Sequence, residues 1–72
     1  MIIDVVNAVT GEGIMRYTAE VVPREGETIS KVREGKVWKV VNADYLIRPV
    51  SETASGTGDD YLELVTLTVR EI

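Results

Sequence analysis

Three groups of side chains have types and spacings that could do chemistry. The first is Asp44, Tyr45 and Arg48: a carboxylate, a phenol and a guanidinium in one short stretch. At a strand bend such a set could recognise a polar ligand. The same residues also make an ordinary surface ion pair with an amphipathic neighbour. The second is Trp38, flanked by Lys36 and Lys39, with Lys31 and Arg33 just before it. With Tyr17, Trp38 could stack a ring or a base, as small barrels do with single strands. The competing reading is a core Trp beside a solvated hairpin face, because Trp38 and Val40 are in phase. The third is the acidic set Glu52, Asp59 and Asp60, next to Tyr61. Three carboxylates could hold a divalent cation, but Gly56-Thr57-Gly58-Asp59-Asp60 lacks the ligand spacing of a calcium loop. A solvated hairpin tip is the favoured reading, and no metal and no cofactor are expected. Gly56 and Gly58 could offer backbone N–H groups to a phosphate. A strand follows them where a phosphate site needs a helix N-terminus, and Asp59 and Asp60 would repel the anion.

Composition limits the chemistry further. The chain has no His and no Cys. The commonest general base, the commonest metal ligand, the thiolate nucleophile and the disulfide are all missing. Only an unusual Ser-Lys or carboxylate arrangement would remain, and nothing in the sequence places Asp44 and Asp60 together. The chain is therefore read as non-enzymatic. Asp and Glu number 12 against 8 Lys and Arg, a net charge of −4. Phosphate neutralisation dominates nucleic-acid affinity, so this balance argues against DNA or RNA. No run is long and apolar enough to cross a membrane, and the N-terminus lacks a basic region followed by an apolar one. Cytoplasmic residence is expected, in the host cytoplasm if the chain is viral.

At 72 residues the chain is one domain, 1–72. A domain this small buries about 60% of its unfolded surface, and self-association is a common way of stabilising it. A homo-oligomer is thus one expectation. The elements that position the three groups read as strands. Val, Ile and Thr are abundant, turn residues recur at short intervals, and no helix-period segment is present. Strands are expected at 2–9, 14–22, 28–32, 37–50 and 61–72, with 51–60 a flexible loop. Met15, Tyr17, Ala19 and Val21 alternate with Arg16, Thr18 and Glu20, the pattern of a half-buried strand. Both faces of the fourth strand are partly apolar, which predicts a bulge near Asn42–Asp44. In the last strand the apolar phase flips between Leu64 and Val65, which predicts a second.

Two tight corners organise this plan. Pro23 presets φ, and Gly26 supplies a position where φ can be positive. The pattern Pro23-x-x-Gly26-Glu27-x-Ile29, then Gly35-x-x-Trp38-x-Val40, resembles the corners of small SH3-like barrel proteins of bacteriophages and bacteria. The resemblance implies a small five-stranded antiparallel SH3-like barrel in an accessory or inhibitor protein. It implies binding of a host protein or small ligand, and it carries over no active-site residue. The expected function is a non-enzymatic binding module with a protein partner. Glu52, Asp59, Asp60 and Tyr61 would form part of its contact, an acidic surface suited to a basic cleft. The alternative is a small-molecule or nucleotide-binding oligomer, with Trp38, Lys39, Tyr45 and Arg48 supplying stacking and charge.

Overall fold

The computed structural model describes residues 1–49 and 60–72, and these contain strands and turns but no helix. The strands are β1 (Ile2–Asn7), β2 (Gly13–Thr18), β3 (Thr28–Lys31), β4 (Lys36–Pro49) and β5 (Asp60–Glu71). All five lie in one sheet, ordered β2-β1-β5-β4-β3, which curls into a half-barrel. The all-β class and the strand count agree with the sequence reading.

The expectation of a wholly antiparallel barrel is corrected at one seam. β1–β2, β3–β4 and β4–β5 are antiparallel, but β1 and β5 pair in parallel, with Ile3 opposite Val65 and Val5 opposite Leu67. The cause is parity. Each connection reverses the chain, so β1, β3 and β5 run the same way, and a first and a fifth strand can meet only in parallel.

Residues 19–27 run from one edge of the sheet to the other. At one end, Ala19 N–H donates to the Met1 carbonyl at 3.1 Å, and the Met1 ammonium donates back to the Ala19 carbonyl at 2.9 Å. At the other, Gly26 N–H donates to the Val40 carbonyl and Val40 N–H to the Glu27 carbonyl, both at 2.8 Å. The expected Pro23–Gly26 corner falls one residue later, as an Arg24–Glu27 turn that Pro23 precedes. Glu27 N–H donates to the Arg24 carbonyl at 3.0 Å, and Gly26 has φ +90°, as the third residue of a type II turn requires.

The core lies on the concave side of the curl. Ile3 and Val5 of β1, Trp38 and Val40 of β4, and Val65, Leu67 and Val69 of β5 are buried. Their period of two follows from side chains alternating across a pleated strand. Each such aliphatic side chain contributes about 1.5–3 kcal/mol on burial. Met15, Tyr17, Val22 and Ile29 pack around them from β2, the 19–27 segment and β3.

Bulges keep the long strands in phase with that core. Val40 pairs with Val69 and Asn42 with Thr68, so Val41 has no counterpart. Were Val41 paired in a regular strand, Ala43 and Tyr45 would face away from Trp38 and Val40; with Val41 bulged out of the pairing they share their face. Leu46 pairs with Leu64 and Ile47 with Leu62, which leaves Glu63 as the extra residue on β5. That irregularity returns Leu62 to the core side, where it packs against the cluster. Both lie within about two residues of where the apolar pattern places them. A third, at Ile14 between the Val5–Met15 and Val6–Gly13 pairs, has no such signal.

Candidate functional site

β4 and β5 outrun their neighbours. β3 is paired with β4 only as far as Lys39, and β1 with β5 only over Val65–Val69. Beyond the Tyr45–Val65 pair, the two strands continue to Pro49 opposite Asp60 as a ribbon with no third strand paired to it among the described residues. This arm makes the molecule long, 49 × 23 × 19 Å, with a radius of gyration of 14.7 Å. A compact domain of this size would have about 11 Å. A bare two-stranded ribbon is marginal in water on its own.

The arm is also apolar. On the core side Tyr45 is 51% exposed and Ile47 52%, and Leu62 is half-buried beside them. These residues extend the row Trp38, Val40, Ala43 past the end of the core. On the convex side lie Leu46, Leu64 and Tyr61. Arg48 stands opposite Tyr61, and its Nε donates to the Glu63 carboxylate. The Glu63 carboxylate holds the Arg48 guanidinium above its ordinary pKa, through this hydrogen bond first and through charge second.

The sequence-predicted residues fall into separate places. Trp38 is 5% exposed and belongs to the core. Lys36 Nζ sits 5.9 Å from its ring centroid, and among the described residues its indole N–H has no acceptor. Lys39 lies on the opposite, convex face, directly across from Arg70. Asp44 is on that face too, opposite Thr66, whereas Tyr45 turns to the core side. Arg48, Asp60 and Tyr61 come together at the far end of the arm. The structure therefore does not gather Trp38, Lys39, Tyr45 and Arg48 around one ligand. Glu52 and Asp59 lie outside the described residues, as does most of the expected 51–60 loop.

Several residues that shape these surfaces escaped the sequence reading. Glu63, the partner of Arg48, looks like an ordinary polar position between Leu62 and Leu64; the phase flip beside it was the available signal. Arg70 faces Lys39 only because of the β4–β5 register, which no local pattern reveals. With Glu25, Gly26, Val40, Val41 and Ile72 these two line a groove of about 500 Å³. Like charges directly opposite on paired strands repel, and neither cation is in an ion pair among the described residues. Elsewhere, Arg16 reaches Asp4 across the β1–β2 pairing with two bonds of 2.5 and 2.9 Å, and Lys31 reaches Glu34, three residues on in the β3–β4 turn, at 3.0 Å. No cluster of metal-ligating side chains occurs among the described residues. No helix there is long and apolar enough to cross a membrane.

Compared with protein families, curated proteins and solved structures, the chain matches none of them.

Proposed function

We propose that this protein is a non-enzymatic binding module that captures a protein partner on its β4–β5 arm. One observation carries the reading. The apolar row that builds the core continues beyond it, past the half-buried Leu62, to Tyr45 and Ile47, which are about half exposed and have no third strand beside them among the described residues. An exposed apolar surface on a two-stranded ribbon is stabilised by a partner that covers it. Tyr45 and Tyr61 supply amphipathic anchors, and Asp60 at the end of the arm favours a partner with a basic rim. The resemblance to small SH3-like accessory or inhibitor proteins belongs with this reading. The positive φ of Gly26 and Gly35 supports it; the parallel β1–β5 pairing departs from it.

The test is capture with and without the arm's core-side residues. Tyr45→Ser/Ile47→Ser should leave the fold intact, because both side chains are exposed, and should lose partners that the wild type retains. Identical recoveries from the two proteins would sink the proposal. The reading as a small-molecule or nucleotide module rests on the Lys39–Arg70 groove. A nucleotide at about 100 times its dissociation constant would add about 2.7 kcal/mol of stability, visible as a thermal shift; no shift with any nucleotide counts against it.

A further inference from the structure

The convex face of β4–β5 carries an ordered row of side chains. Alternation away from the buried Trp38, Val40, Val65, Leu67 and Val69, with the bulge at Val41, sets which residues lie on it. Along the ribbon from body to arm come Val37 with Ile72, then Lys39 with Arg70, then Asn42 with Thr68. Asp44 with Thr66 and Leu46 with Leu64 follow. In chemical terms the order is apolar, basic, neutral, acidic, apolar. Ile72 is 67% exposed and Leu46 39%, and Lys39, Arg70, Asn42 and Asp44 are all exposed.

This order is its own complement. A two-fold axis lying between the two faces, parallel to the sheet and running across the strands at the level of the Asn42–Thr68 pair, places the basic pair of one copy over Asp44 of the other. It places Val37 and Ile72 over Leu46 and Leu64, and it does both twice. A two-fold contact requires this reciprocity, since each residue that meets another is met by it in return. We infer that two copies of this chain pack convex face to convex face along β4–β5, with Lys39 and Arg70 of each held by Asp44 of the other.

Charge distribution supports a second copy as the occupant. Residues 42–64 hold Asp44, Glu52, Asp59, Asp60 and Glu63 against Arg48 alone, a net of −4, which is the net charge of the whole chain. The remaining residues balance seven acids with seven bases. By sequence each copy thus has an acidic half and a neutral half, and on the neutral half Lys39 and Arg70 share a groove with Glu25 but form no ion pair among the described residues. An antiparallel arrangement puts unlike halves together and keeps the two acidic arms apart. In the monomer Lys39 and Arg70 repel; in the dimer a carboxylate stands between them, so association relieves a cost the fold carries. Aligned sheets pack about 10 Å apart, within reach of Lys and Arg side chains. The contact is one ribbon wide, smaller than the about 800 Å² per partner of a standard interface, so the dimer is concentration-dependent.

This surface lies on the opposite face from Tyr45 and Ile47, and its test is separate from capture of another protein. Sedimentation equilibrium of the purified wild type should show a monomer–dimer equilibrium that salt weakens. Lys39→Glu/Arg70→Glu and, separately, Asp44→Lys should each raise the dimer dissociation constant about tenfold or more. Mixed together, the two should regain a dimer, now heterodimeric, because each reversed surface meets its reversed complement. Leu46→Lys should weaken the dimer without reversing either charged site. Tyr45→Ser/Ile47→Ser should leave it unchanged. A wild type monomeric at all attainable concentrations overturns the inference. So does a dimer indifferent to the charge reversals, or a failure of the two variants to complement while both retain their far-UV circular dichroism.

Discussion

Asn42 stands opposite Thr68 although Val40 stands opposite Val69, so one residue of β4 has no partner on β5. That offset turns Ala43, Tyr45 and Ile47 to the core side and Asp44 and Leu46 to the convex side. Both interaction surfaces depend on it. Deleting Val41 removes the extra residue and leaves every other side chain on its present face. The deletion should fold, at a cost within the about 0.5–3 kcal/mol of ordinary substitutions. Deleting Thr66 offers no such repair. It turns Val65 out of the core and disturbs the pairing with Asp4 of β1, and that chain should not fold cooperatively. Urea unfolding followed by circular dichroism separates the two.

Two glycines should respond in opposite directions to alanine. Gly26 has φ +90°, and a Cβ there would meet no atom within 4 Å. The cost of Gly26→Ala is therefore backbone strain alone, about 1–2 kcal/mol. At Gly13 there is also no atom within 4 Å and no positive φ. Gly13→Ala should gain about 0.4–1 kcal/mol by restricting the unfolded chain. Thermal midpoints that move the same way for both would contradict this account.

Trp38 serves the core with its ring and carries an unmet indole N–H. Trp38→Ala should cost about 3–5 kcal/mol, enough to unfold so small a domain. Trp38→Phe loses volume but also removes a buried donor worth about 1–3 kcal/mol of unmet desolvation. It should fall well short of the alanine variant. Denaturant midpoints of the two proteins check the ordering.

Stability should fall toward both ends of the pH scale for different reasons. The Arg16 hydrogen bond, with its charge, holds the Asp4 carboxyl below its ordinary value. The unfolded chain then takes up this proton first as pH drops. The pair's contribution is present above the unfolded value near 3.9 and is lost as pH falls through the lower folded one. Asp4→Asn should flatten that acid limb. Burial pushes the Tyr17 phenol up. Its contribution is intact below the unfolded value near 10 and is lost as pH rises toward the folded value. Tyr17→Phe should remove that alkaline loss, and denaturant midpoints measured across pH show both.

Local physics was legible in the sequence where it acts through neighbours in the chain. The absence of His and Cys narrowed the chemistry before any fold was known. Turn residues and two-residue alternation located five strands, and the Pro23–Gly26 corner took the positive φ that only glycine adopts freely. Even the irregularities in β4 and β5 showed as breaks in apolar phase, because a bulge changes which face the next residue occupies. Pairing between distant strands had no such trace. Whether β1 meets β5 in parallel, whether Lys39 faces Arg70, and how far β4 and β5 run past their neighbours depend on register and on the order of strands. Those are set by the whole sheet closing over one core. The basic, aromatic group around Trp38 shows the difference most plainly. Its residues are adjacent in sequence, but a pleated strand sends neighbours to opposite faces, so Trp38 went into the core and Lys39 out to the convex surface.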